Sequence, residues 1–252
     1  MTVTAAAGGI HPLADQRGVV MLPQLALDMR LDPGTTFASY FSGANDEIVA
    51  AVRSMAEGHG EASAYLYGGR GLGKSHLLQA ACRLMAERGE QVAYLPLAEL
   101  IDWPPAMLEG LEAMSMVALD DIDVIAKSAE WQEALFHLFN RLRAADRRLL
   151  LAATQRPADL GLALGDLVSR LQWGLVLRLR DHDDVQKMAG LQFHAQLRGL
   201  ELPEEVARYL LGHYPREWSY QFRLLDRLDQ ASLAAQRRLT VPFVRQVLAQ
   251  SD

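Results

Sequence analysis

The 252-residue chain has a single cysteine, Cys82, so no internal disulfide framework can hold it together. No apolar run is long enough to span a bilayer, and the first residues lack the basic stretch and apolar block of a secretory signal. A basic surplus is missing too. The formal net charge of −6 argues against a protein that holds DNA by bulk electrostatics. His76, His137, His182, His194 and His213 stand in no Cys/His ligand spacing, which disfavours a metal hydrolase, and His182-Asp183-Asp184 reads as a solvated helix start. There are no internal repeats. What is there is a chain with 50% apolar and 22% charged residues, enough for one α/β core plus a small second unit in a reducing compartment.

The most informative segment is Gly68-Gly69-Arg70-Gly71-Leu72-Gly73-Lys74-Ser75, which fits G-x-x-x-x-G-K-[ST] at every fixed position. Glycines such as Gly68, Gly71 and Gly73 let backbone N–H groups converge on phosphates without Cβ clashes. Lys74 would place a point charge at the β- and γ-phosphates, Ser75 a hydroxyl on Mg²⁺, and the following helix its positive end. The context agrees: Ala64–Tyr67 reads as a strand entering the loop, and Ser75–Cys82 as a helix leaving it, with His76 in its first turn and Cys82 on its apolar face.

From Ala62 to about Arg180, apolar runs alternate with helical patterns. The runs are Ala64–Tyr67, Val92–Leu97, Met116–Leu119, Leu149–Ala153 and Leu175–Leu179, several of them bare rather than alternating, as expected for parallel strands covered on both faces. Residues 130–145 carry Leu135, Leu138, Phe139 and Leu142 at helical spacing. The pattern implies a doubly wound parallel sheet of five strands, with the phosphate loop at a strand's carboxyl end. After Asp181 only helices are expected: 183–197, 203–212, 217–236 and 240–249, the last with Thr240 as N-cap. The expected division is a flexible tail over 1–35, an α/β domain over 36–180 and a helical unit over 181–252. Residues 1–20 look unlike the rest, Met1–Gly9 being small and without apolar period, which predicts disorder, and Met21 is an alternative start.

Met116-Val117-Ala118-Leu119-Asp120-Asp121 is an apolar strand ending in two acids, expected beside the phosphate-loop strand. Asp120 would bind Mg²⁺ through water, and Asp121 would orient an attacking water; the plain alternative is a strand ending in a turn. Leu149–Ala153 ends at Thr154, a candidate γ-phosphate sensor or a simple helix-entry turn. Arg170 follows in a short helical segment, where a surface salt bridge is the ordinary reading.

These pieces in this order resemble an AAA+ ATPase core with its helical lid. Ser169-Arg170-Leu171-Gln172-Trp173-Gly174 resembles the S-R-[FL]-x-W-G segment of the bacterial replication initiator DnaA, and Thr240-Val241-Pro242-Phe243-Val244 resembles the T-[IV]-x-F-V segment of its lid. No counterpart of the initiator's helix-turn-helix DNA-reading domain follows, and the long region before its core is missing. This combination resembles the Hda family, relatives of DnaA that inactivate it. Thr36-Phe37-Ala38-Ser39-Tyr40, Asp166–Leu171 and Ala235–Thr240 support it, and the resemblance spans about residues 21–250. Gln24-Leu25-Ala26-Leu27 is similar to the short peptide that docks on the replicative sliding clamp, with Gln24 as an oriented amide and Leu25 and Leu27 as apolar anchors.

The resemblance implies a cytoplasmic, nucleoid-associated regulator of replication initiation that holds ADP or ATP with Mg²⁺. Its partners would be the sliding clamp, DnaA, DNA through the clamp, and a second copy in a homo-oligomer, with no membrane. Arg170 would be offered in trans to ATP bound by DnaA. Two departures stand out. Ser219 occupies the position of the lid's nucleotide-contacting arginine, leaving Arg216 and Arg223 as alternatives. Asp166 stands where the initiator has a second arginine, as expected of the regulator. Two rivals remain: an autonomous ATPase that remodels DNA or loads a helicase, kept alive by Lys74, Asp120 and Asp121, and a pure adaptor.

Overall fold

A computed structural model describes residues 34–249. Gln24, Leu25 and Leu27, together with the rest of residues 1–33, lie outside it. Five strands, β1 (Ser63–Tyr67), β2 (Val92–Pro96), β3 (Met116–Asp120), β4 (Arg148–Ala153) and β5 (Leu175–Arg178), form one sheet in the order β2-β3-β4-β1-β5. Every neighbouring pair is parallel. β3 therefore does not lie beside the phosphate-loop strand β1, as the sequence suggested: β4 intervenes, pairing Leu119 with Leu151 on one side and Leu66 with Ala152 on the other. The strand order depends on crossover connections, which no local apolar pattern encodes.

The bare apolar runs of β1, β3 and β4 are explained by burial on both faces, whereas the edge strand β5 alternates between half-buried and exposed residues. Val117, Leu119, Leu149, Leu151 and Tyr65 enter one core, while Met116, Ala118, Leu150, Ala152 and Leu66 enter the other, with the period of two that a strand imposes. The five helices of this unit are α1 (Asp46–Ala56), α2 (Lys74–Glu87), the single turn α3 (Leu97–Leu100), α4 (Ala129–Ala144) and α5 (Gly165–Leu171). α2 buries Leu77, Leu78, Ala81, Cys82 and Met85 on one face of the sheet. α4, capped by Ser128, buries Trp131, Leu135, Leu138, Phe139 and Leu142 on the other, where α5 adds Leu167 and Leu171. Truncating such a leucine to alanine costs about 2–5 kcal/mol.

Four helices follow: α6 (Asp184–Leu197), α7 (Glu204–His213), α8 (Trp218–Ala235) and α9 (Val241–Ala249). They enclose their own core around Leu191, Leu210, Leu225, Leu228 and Val244. α6 starts with a capping box, Asp183 accepting from the Gln186 backbone and Gln186 returning to the Asp183 N–H. His182 corrects the sequence reading, for it is buried (6% exposed) although Asp183 and Asp184 are exposed. It packs against Phe41 and Trp218, aromatic neighbours supplied by distant segments. Where the chain leaves the sheet, Asn45 holds Arg180: its amide donates to the Arg180 carbonyl at 3.0 Å and accepts from the Arg180 N–H at 2.8 Å. Among the described residues no helix is long and apolar enough to cross a membrane.

Candidate nucleotide site

The phosphate loop runs from the end of β1 into α2, where the helix N-terminus offers unpaired backbone N–H groups to an anion. Gly73 is its tightest point. Its φ of +80° suits glycine, and a Cβ there would stand 2.5 Å from Cε2 of Tyr40. The Tyr40 hydroxyl donates to the Leu72 carbonyl at 3.0 Å, so the ring braces the loop from outside. Burial pushes that phenol up to about 12, which keeps it a neutral donor.

Lys74 opens α2 and is buried, with Nζ donating to the Gly68 and Gly69 carbonyls at 2.8 Å each. Burial lowers its pKa, opposed by the carboxylates of Asp120, Asp121 and Asp123. Ser75 is exposed one residue on. His76 serves the scaffold: Nε2 lies 2.7 Å from the Thr36 carbonyl, and its ring tilts against Tyr40. This holds the segment before α1 to the loop rather than committing the imidazole to phosphate.

Asp120 ends β3 fully buried, one oxygen accepting from the Tyr94 hydroxyl and the other from the Asp121 N–H, each at 2.9 Å. Asp121 follows in the left-handed region (φ +53°), half-buried. Burial and the adjacent Asp120 charge raise its carboxyl above the usual range. Serine hydroxyl and carboxylate are hard oxygen donors of the kind Mg²⁺ takes, one or two from protein and the rest from phosphate and water. Among the described residues no group of three His, Cys, Asp or Glu can hold a metal alone. Ser75 and Asp120 are donors of that kind, and they would be the residues to meet a Mg²⁺ carried with phosphates.

Thr154 stands at the tip of β4, between the acids and the loop. Its hydroxyl donates to Asp123, and its N–H donates to both oxygens of the same carboxylate at 3.0 Å. Asp123 was not singled out from the sequence; the only signal was its place three residues after Asp120. Beside the loop an open cleft of about 580 Å³ is lined by Thr154, Arg70, Arg156, Arg178 and Arg180. On the other side a cavity of about 60 Å³ lies between the loop and the helical unit, bounded by Tyr40, Phe41, His182, His194, Trp218 and Phe222. Burial lowers the pKa of His194 to about 4, helped by the Arg198 charge, so the imidazole there is neutral at pH 7. This aromatic joint was also missed, because its members are spread from residue 40 to residue 222.

Ser219 is exposed at the start of α8. Arg216 is engaged by Asp184 at 2.7 Å and by the Leu211 carbonyl, and Arg223 lies over the Tyr220 ring. Arg170 stands on the last turn of α5, half-buried, leading to the edge strand β5. It joins none of the ion pairs found among the described residues, and its guanidinium lies 5.1 Å from the centre of the Trp173 ring.

Residues 31–178 match the family described as the bacterial DnaA ATPase domain, and residues 184–248 the one described as the Hda lid domain. Among solved structures, the chain is similar to domain III of the Thermotoga maritima replication initiation protein DnaA (TM-score 0.73, 24% identity, covering 87% of this chain and 97% of that one). AMPPCP-bound DnaA from Aquifex aeolicus matches with TM-score 0.65 and 24% identity over 81% of this chain and 67% of that one. The Thermotoga maritima RuvB Holliday junction branch migration motor matches with TM-score 0.63 and 17% identity over 85% and 73%. At these identities the structural likenesses speak for the fold alone.

Proposed function

The chain belongs to the bacterial DnaA ATPase-domain family and continues into an Hda-type lid, and from that premise we propose that it is a negative regulator of replication initiation acting on DnaA. Its fold is AAA+. In this reading it holds ADP or ATP at the Lys74 loop, docks on the DNA-loaded sliding clamp through Gln24, Leu25 and Leu27, and offers Arg170 to ATP on DnaA. The observation that carries the reading is Arg170 itself, a half-buried residue on the last turn of α5 that joins no ion pair among the described residues and lies outside both cavities that flank its own phosphate loop.

The chemistry follows from charge. As water attacks the partner's terminal phosphoryl group, negative charge spreads over its equatorial oxygens. A planar guanidinium with several donors stabilises that charge, and such fingers give about 10³–10⁵ in rate. In its own site, Lys74 and the loop N–H groups would bind the phosphates, and Mg²⁺, when bound, neutralises phosphate charge. Ser75 and Asp120 would hold that ion, Asp121 would orient water, and Thr154 would read the terminal phosphate by exchanging Asp123 for it. A bound nucleotide would act as a structural switch that orders the core and lid, which meet beside the loop where His194, Trp218 and Phe222 of the lid face Tyr40 and Phe41 of the segment before α1.

The test mixes the protein with ATP-loaded DnaA, clamp and DNA and follows conversion of DnaA-bound ATP to ADP. Conversion that requires both this protein and clamp-bearing DNA is the expected result; a rate unchanged by the protein refutes the reading. The intact Lys74, Asp120 and Asp121 favour a second reading, an autonomous ATPase. Fast basal turnover of the isolated protein would support it, whereas a regulator turns over slowly alone.

A further inference from the structure

Arg170 does not stand alone at its edge. Trp173, two residues beyond the end of α5, is an exposed tryptophan (46%), and two guanidiniums share its ring. Arg143, from the last turn of α4, lies 3.6 Å from the ring centre, and Arg170 lies 5.1 Å from it. The first distance is van der Waals stacking; the second is a looser cation–π contact. We propose that Trp173 is a positioning residue for Arg170, clamped by Arg143, so that the edge offered to a partner's nucleotide is a three-residue stack. The proposal rests on the reading of Arg170 as a finger acting in trans.

Three features support it. The Trp173 backbone is fixed from both sides. Its N–H donates to the Arg170 carbonyl at 3.0 Å, and next to it Gly174 (φ +87°) lies so close to β1 that a Cβ there would stand 2.3 Å from the Ser63 carbonyl oxygen. The backbone that carries the ring is therefore anchored to β1, and Arg143 stacks on the ring itself. Second, neither guanidinium joins an ion pair among the described residues, although Asp166 stands one turn before Arg170. Two like charges on one indole repel each other, and an arriving phosphate relieves that repulsion. Third, the two contacts differ in tightness in the useful sense. Arg143 is committed to the ring, and Arg170 keeps its donors free while losing the rotamer freedom that an unsupported arginine would have to give up in the transition state.

The experiment uses the full chain with clamp-bearing DNA and ATP-loaded DnaA, and reads two quantities: the stimulated rate at saturating protein and the concentration giving half of it. Trp173→Ala is expected to lower the saturated rate by about threefold to tenfold, the range of a partly exposed cation–π contact. The half-saturating concentration should stay within about twofold, because alignment rather than docking is lost. Trp173→Phe should retain most of the rate, since a phenyl ring still offers a face. Arg143→Ala should reproduce the loss, and the double variant should be little worse than either single one, because both act through Arg170. A melting curve accompanies each variant; should Trp173→Ala unfold, Arg143→Ala and Trp173→Phe carry the test. A raised half-saturating concentration with an unchanged saturated rate would overturn the proposal, making Trp173 a docking contact only. So would multiplicative losses in the double variant. Full activity of Arg170→Ala would remove the finger reading itself, whereas loss in Arg170→Ala with full rates in Trp173→Ala and Arg143→Ala would remove only the stack.

Discussion

Asp123 holds Thr154 by both its N–H and its hydroxyl, across 31 residues of sequence and beside the phosphate loop. The hydroxyl has one proton, and Asp123 takes it, so Thr154 can donate to a phosphate only by giving up that bond. The residue expected to sense the nucleotide is thereby coupled to an acid on the turn that follows Asp120.

Thr154→Val keeps the N–H bond and removes the hydroxyl. It is expected to cost about 1 kcal/mol, or about 2–4 °C in melting temperature for a domain of this size. Asp123→Ala leaves two donors unpaired and should cost more, about 1–3 kcal/mol. Denaturant melts of the two variants check the order. Equal stabilities would mean that the N–H bonds contribute nothing beyond the hydroxyl bond.

Lys74→Ala should abolish nucleotide binding, because the loop N–H groups alone do not neutralise a triphosphate. Thermal-shift titration with ADP reads this directly. An unchanged ligand-induced shift in the variant would remove the loop as the site. The fold should persist, since the hydrogen bonds of the Lys74 side chain among the described residues go to loop carbonyls, Gly68 and Gly69.

Stability should fall with acid through His194. Its folded pKa of about 4 lies below the ordinary value of 6.5, chiefly because of burial. Between those values the unfolded chain binds a proton that the folded one does not, so stability rises with pH there. This contribution is complete above about pH 6.5 and is lost as pH falls toward 4. His194→Phe should flatten the dependence in that window, as measured by melts from pH 4 to 7; an equally steep profile would assign the slope to carboxylates instead.

Replacing Gln24, Leu25 and Leu27 with alanine should abolish clamp binding with no change in the melting curve. A docking peptide outside the core buries little area on folding. A clamp pull-down and a melt run together distinguish the outcomes. Retained binding refutes the peptide assignment, and a lowered melting point makes the segment part of the folded core.

The parts legible in the sequence were local. The phosphate loop is eight consecutive residues, and the inner strands are contiguous apolar runs because a parallel sheet buries both faces there; Met116–Asp120 is buried throughout, while the edge strand β5 is not. α4 carries its core face at helical spacing, as Leu135, Leu138, Phe139 and Leu142 suggested. What could not be read depends on distant partners. β4 inserts between β1 and β3. His182 is buried because Phe41 and Trp218 reach it from opposite ends of the chain. The role of Tyr40 depends on a contact with Gly73 that neither residue's neighbours announce.

Arg170→Ala discriminates most sharply among the readings of function. Among the described residues Arg170 joins no ion pair, lines neither cavity by the phosphate loop and lies over no aromatic ring but Trp173, so its loss should spare folding, ADP binding and clamp docking. Stimulated hydrolysis of DnaA-bound ATP should still fall, on the order of 10³-fold if the guanidinium supplies most of the effect. Lysine should not restore it, because a point charge cannot present several coplanar donors to phosphoryl oxygens. The alternative is a surface arginine worth under about 1 kcal/mol, and it leaves hydrolysis untouched. The measurement is stimulated hydrolysis at saturating variant, with clamp binding verified separately so that failed docking is not mistaken for failed chemistry. A fully active alanine variant would end the trans-acting mechanism while leaving the family assignment intact, because that assignment comes from residues 31–178 and 184–248 as a whole and not from one side chain.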